Sequence, residues 1–259
     1  MTMFPAMSLN QLASDLKAAV LFCTRLPIPH VAAITGADVA RAAWAFPVAG
    51  AIVGAIAAGV YWLAGVAGLP PWPAAALAVA AMLVVTGCLH EDGLADVADA
   101  FGGHTRERRL EIMRDSRIGT YGACALSMSL LLRTAALASI AAPAVVAPVL
   151  VAAHMAARAG MPLFMWLVPP ARADGLSVGV GPPSPESTMA AMLLGVIALL
   201  LGLGPAAGIC AIALMAGGLA ALAWLCIRQI GGQTGDVLGA VEQFGEIVIL
   251  LVAAACLNR

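Results

Sequence analysis

Apolar residues along this chain come in long unbroken runs rather than in the short alternations that build a soluble core. Seven runs, at roughly 44–67, 73–89, 120–141, 144–167, 188–203, 206–227 and 240–257, come near or exceed the ~20 residues a helix needs to cross ~30 Å of hydrocarbon. Their connections alternate in character. GLPPWP, AAPAVVAP and GLGP are short, uncharged and turn-like, whereas the segments 90–118, 169–187 and 228–239 carry polar motifs with Gly and Pro punctuation. Ahead of them, SLNQLASDLKAAVLFC sets Leu9, Leu12, Leu16 and Cys23 at helical spacing behind a Ser8/Gln11 capping box. That spacing predicts an interfacial helix, stopped by the prolines of RLPIP. The whole pattern predicts an all-α, polytopic integral membrane bundle of about seven transmembrane helices plus the N-terminal helix, with residues 1–259 forming one domain.

Composition makes lipid the solvent: 62% of residues are hydrophobic, 10% are charged, and mean hydropathy is +0.98. A net charge of -1 argues against nucleic acid as a partner. The six cysteines are scattered without CxxC spacing, so they read as packing residues rather than zinc ligands or disulfides. The apolar stretch AAVLF, bracketed by Lys17 and Arg25, is too short for a cleavable signal peptide.

The charges are unevenly spread: the 28 residues from His90 to Arg117 hold twelve of the chain's 27. Arg106, Arg108, Arg109, Arg114 and Arg117 place this loop in the cytoplasm by the positive-inside rule. Parity over seven crossings then puts the N-terminus and the 169–187 and 228–239 segments on the same face, and the C-terminus on the other.

Within HEDGLADVAD, Asp92, Asp96 and Asp99 stand at i, i+4 and i+7, one stripe of like charge on one helical face if the second span runs on. A solvated face would interleave Lys or Arg. A divalent cation explains the alignment better, and magnesium prefers hard carboxylate oxygens that it bridges to phosphates. Asp236, and in a catalytic role Asp115, are candidates to complete the shell or to act as base. Gly93 either admits a ligand to the row or lets helices pack closely. His90 and His104 read as hydrogen-bonded neighbours of the acids rather than as ligands.

Arg106, Arg109 and Arg117 beside such a row form a combination that binds pyrophosphate, although arginines there also serve as a topology signal. Arg133 and Arg158 fall near mid-bilayer, where a cavity open to the cytoplasm or pairing with a carboxylate in the bundle accounts for them. The intramembrane charges identified in this way are cationic. In RQIGGQTGDVLG, Gly232 and Thr234 with Gly231 and Gly235 offer backbone N–H groups as a phosphate cradle, although the GK[ST] ending of a P-loop is missing. Asp236 and Glu242 follow, as helix N-terminal charges or further ligands. The 169–187 loop either covers a substrate or is a linker.

HEDGLADVAD followed by RRLEIMRDSRIGTYG closely resembles the motif region of the cobalamin synthase family. FCTRLPIP, AFPVAG, ARADGLS and GGQTGDVLGA are similar to that family's segments in the same order. Val97 and Ala100 replace the Thr and Gly expected there and leave the carboxylates intact. The resemblance implies a magnesium-dependent, multi-pass enzyme of the bacterial cytoplasmic (inner) membrane with its active face in the cytoplasm. It implies that α-ribazole or its 5′-phosphate is joined to adenosylcobinamide-GDP with release of GMP. Asp92, Asp96, Asp99 and Asp236 would then hold the metal, and Arg106, Arg109, Arg117, Arg133, Arg158, Gly232, Thr234 and Asp236 would contact substrate. Two competitors are a CDP-alcohol phosphotransferase, whose motif expects Arg where Asp96 follows Ala95, and a divalent-cation transporter using the same carboxylates.

Overall fold

The computed structural model describes residues 8–29 and 33–257. Helix α1 (Leu9–Cys23) is followed by α2 (Gly36–Arg41), a 3-10 turn (Ala42–Ala45) and α3 (Phe46–Val66). Then come α4 (Pro71–Thr86), α5 (Leu89–Ala100), α6 (Arg106–Ile112), α7 (Thr120–Ile140), α8 (Pro143–Leu167), α9 (Leu176–Val180), α10 (Pro185–Leu203), α11 (Pro205–Ile230) and α12 (Gly235–Leu257). Among the described residues six helices are long and apolar enough to cross a membrane, and the number is seven if the bent pair α4 and α5 is counted as one span. The expected spans are recovered within a few residues because their ends are chemically marked. Pro stands in the first turn of α3, α4, α8, α10 and α11, where its missing N–H has no partner to lose. Gly87 and Gly231 close α4 and α11 in the left-handed conformation.

Packing follows membrane rules, in which small residues let backbones approach. Helix α8 is the central post. Gly50 and Gly54 of α3 lie against the carbonyls of His154 and Leu150, while Gly195 and Gly202 of α10 lie against Ala159 and Ala152. At the N-terminus, Ser8 accepts from Gln11 N as expected, but the Gln11 side chain turns to Asp15 and the capping box is half made. Asp15 anchors α1 together with the inner part of the stripe: Asp15 is buried and accepts from Arg41 Nε at 2.9 Å and Trp44 Nε1 at 3.1 Å, Cys23 is buried and Leu16 packs against the core, while Leu9 stays exposed.

The second span does not run on into the acidic motif. The chain bends by 91° between α4 and α5, where Gly87 and Cys88 both adopt left-handed backbone (φ 64° and 57°). Helix α4, 16 residues long, reaches the hydropathy and length of a span only together with α5, which turns off it at the bend. One end of the bundle gathers the other polar segments. Gln233 N donates to Pro169 O and Ala171 N to Gln233 O, both at 2.8 Å, and Arg106 ties α6 to Ile230 O and Ala171 O at 2.8 Å.

Candidate functional site

Helix α5 starts with Glu91 and Asp92 in its first turn, where the helix dipole favours negative charge. Two glycines seat it on α12. A Cβ on Gly93 would come to 2.6 Å from Asp236 O, and one on Gly239 to 3.1 Å from His90 O. Gly93 therefore serves helix packing, and that packing brings Asp236 to the aspartate row.

On its other side α5 is held by Asp99, whose two oxygens accept from Gly119 N at 2.7 Å and Gly122 N at 2.8 Å and so cap α7 from a neighbouring helix. A Cβ on Gly122 would collide with Asp99 Oδ2. Gly122→Ala is accordingly expected to cost about 1–3 kcal/mol of stability through forced displacement of the cap, seen as a lowered thermal midpoint in detergent. An unchanged midpoint would remove Asp99 from this joint.

Asp92 is the shared wall of two cavities. The larger, about 460 Å³, is lined by Glu91, Asp92 and Asp96, by Arg114, Asp115 and Arg117 of the α6–α7 linker, and by Leu83, Leu126 and Leu130 of the crossing helices. The smaller, about 110 Å³, lies between α5 and α12 and is lined by His90, Asp92, Asp236, Arg172 and Ser177. Burial, together with the charges of Asp92, Asp236 and Asp99, pushes the Asp96 carboxyl up to about 7. Three hard oxygen donors from Asp92, Asp96 and Asp236 thus share a region where the nearest cation to Asp236 is Arg172 Nη2, at 3.7 Å. Carboxylate oxygens are the donors a hard divalent cation takes, but among the described residues the set that already brings three ligand atoms within 4.8 Å of one another is His154, Glu242 and Glu246.

The remaining expected site residues are placed differently. Asp115 stands at the rim of the larger cavity, held at about 2 by hydrogen bonds from the Arg117 side chain and backbone. Arg117 itself is largely exposed. Arg106 spends its guanidinium on backbone carbonyls, and Arg109 leans on Gln229 O at 3.4 Å, away from the aspartates. Gly232 and Thr234 are buried. The loop's Gln233 N is taken by Pro169 O, and the Thr234 hydroxyl accepts from Val237 N and donates to Asp236 Oδ2. The segment is a clasp between loops, not an open cradle of N–H groups.

Arg133 and Arg158 are not brought to the aspartates. They lie in a buried network beneath α5, in which Arg133 Nη1 is 3.0 Å from Glu91 and 3.2 Å from Glu246, and Arg158 Nη1 is 2.6 Å from Glu242. Gln243 joins Glu91 at 3.1 Å and Glu242 at 3.0 Å, and accepts from Ser129. Intramembrane charge is therefore not only cationic. Glu242 and Glu246 sit one turn apart in the last span, a spacing readable in VEQFGE, and each answers an arginine. The ligand atoms of His154, Glu242 and Glu246 lie within 4.8 Å of one another, so this set also can hold a metal, with two guanidiniums already beside it. Arg114, which pairs with Asp174 at 2.6 Å, and Arg172 are further members of the site region that the spacing arguments missed.

Residues 15–254 match the family model described as cobalamin-5-phosphate synthase. The chain is 54% identical over 249 residues to the adenosylcobinamide-GDP ribazoletransferase of Bradyrhizobium diazoefficiens, covering 96% of each chain. It is 50% identical over 253 residues to the protein of that name from Mesorhizobium japonicum, covering 97% of each. Against the one from Azorhizobium caulinodans it is 46% identical, over 93% of this chain and 96% of the relative. No solved structure matches the chain.

Proposed function

We propose, from the premise that this chain belongs to the cobalamin-5-phosphate synthase family and is a membrane transferase of cobalamin biosynthesis, that Asp92, Asp96 and Asp236 form its reaction centre. The names of the relatives imply adenosylcobinamide-GDP and a ribazole as substrates, and the family's description as a cobalamin-5-phosphate synthase supports the 5′-phosphate as acceptor. Family membership also sets aside the CDP-alcohol phosphotransferase and transporter readings.

The observation that carries the proposal is Asp92 standing between two cavities, with Asp96 lining the larger and Asp236 the smaller. Asp92 and Asp236 would hold Mg2+, with Asp96 beside them, and the bound ion would supply positive charge to the diphosphate. A ribazole hydroxyl oxygen forms a bond to the phosphorus of the cobinamide phosphate, and Asp96 takes the hydroxyl proton. The bond from that phosphorus to the bridging oxygen breaks, and its electron pair leaves with GMP. Burial, the largest cause, raises the proton affinity of the Asp96 carboxyl above the ordinary carboxylate range, which favours it as the proton acceptor. Arg114 and Arg117 supply positive charge at the rim of the larger cavity, and Asp99, Arg106, Arg133 and Arg158 hold the frame. The five arginines between His90 and Arg117 put this end of the bundle in the cytoplasm.

The test is GMP release by the purified protein in proteoliposomes, with adenosylcobinamide-GDP, α-ribazole 5′-phosphate and Mg2+. Absence of GMP at every Mg2+ concentration would overturn the reading. In the same assay a proton and Mg2+ compete for one cluster. Activity is therefore expected to fall with a single-proton slope as pH drops below about 7, and the midpoint to move lower as Mg2+ is raised. A midpoint that ignores Mg2+ would separate Asp96 from the metal.

A further inference from the structure

Arg172 belongs to the ARADGLS segment and lies where the loop after α8 folds over the smaller cavity. Its side chain is mostly buried, 16% exposed, yet it is poorly used. The nearest carboxylates, Asp236 at 3.7 Å and Asp174 at 3.9 Å, are beyond hydrogen-bond distance, and Nη1 is buried with no hydrogen-bond partner. A buried guanidinium donor left idle is costly, so native structures rarely keep one without a ligand to take it. The backbone is shaped to hold it there. Gly175, at φ 100°, lies over the guanidinium so closely that a Cβ would come within 3.2 Å of Nε, and few side chains adopt that backbone conformation. Ser177, also buried, lines the same space.

The two cavities meeting at Asp92 differ in size and in wall chemistry. The larger has room for a nucleoside diphosphate and carries Arg114 and Arg117. The smaller, about 110 Å³, is on the scale of one phosphate group with its ester carbon, and Arg172 is the cation that lines it. Guanidinium forks match phosphate oxygens. We propose that Arg172 is a substrate-binding residue that grips the 5′-phosphate of the phosphorylated acceptor in the smaller cavity, and so sets the preference for α-ribazole 5′-phosphate over α-ribazole. The proposal rests on the transferase reading above. The diphosphate of the donor occupies the other side of Asp92, so the two phosphorylated substrates approach the carboxylates from opposite cavities.

The experiment compares both acceptors with wild type, Arg172→Ala and Arg172→Lys in proteoliposomes, following GMP. Arg172→Ala is expected to raise KM for α-ribazole 5′-phosphate by about tenfold or more, as for loss of a charged hydrogen-bond donor, while leaving KM for α-ribazole within about twofold. Arg172→Lys, which keeps the charge without the fork, should fall between and carries the test if the alanine variant does not fold. Equal losses on both acceptors, a change in KM for adenosylcobinamide-GDP alone, or no change with either would overturn the assignment. A wild-type protein that releases no GMP with either acceptor would instead overturn the parent reading, and this one with it.

Discussion

Asp92→Asn is expected to lower GMP release by about 10³-fold or more while the protein still folds, because the substitution keeps shape and removes only charge. Asp92 lines both cavities, so its carboxylate faces both reacting partners, whereas Asp96 and Asp236 each line one. The contrast with Asp99→Asn makes the test specific. Both Asp99 oxygens already accept backbone N–H groups of α7, so this variant should lose thermal stability and retain turnover once folded. Rate measurements at saturating Mg2+, paired with thermal melts, separate the two. Full activity in Asp92→Asn would leave the proposed centre without its ligand.

The second large effect lies below the site. Glu242→Leu leaves Arg158 buried, with its 2.6 Å partner gone, and breaking one side of such a pair costs about 3–5 kcal/mol. The double variant Glu242→Leu/Arg158→Met removes both charges and should recover much of that loss, since buried pairs contribute little beyond compensating their own desolvation. Chemical denaturation in detergent gives the coupling. Single and double variants of equal stability would mean that the pair is not the unit holding α12 to α8.

The bundle was largely legible because its signals are local. Hydrophobic run length, a Pro to open a helix and a Gly to close it are all read from neighbouring residues, as are the i, i+4, i+7 row and the Ser8 cap that accepts from Gln11 N at 3.2 Å. What was not legible is set by contacts between distant segments. Nothing in TGCLH announces that Cys88 adopts a left-handed backbone, so the row was expected on a continuing span and is found on a helix turned by 91°. The acids of the last span that face Arg133 and Arg158, Glu246 and Glu242, lie more than eighty residues away, and the other partner of Arg133, Glu91, comes from α5. Arg172 carries no periodic signal; idle buried donors also occur on Arg109, Arg133 and Arg158, and what distinguishes Arg172 among these is that it lines a cavity walled by Asp92. Glu242 and Glu246 could have been recognised: two acids one turn apart inside an apolar run, opposite two intramembrane arginines, ask to be paired.

The elbow between α4 and α5 decides who can reach the chemistry. Because α5 is folded sideways, the floor of the larger chamber is made of Leu83, Leu126 and Leu130, while its roof is Arg114 to Arg117. Such a room is greasy below and ionic above. A bulky amphiphile can rest its apolar part on that floor with its anionic end lifted toward the roof. Seating one guest across two such unlike surfaces would thus be a by-product of a single kink.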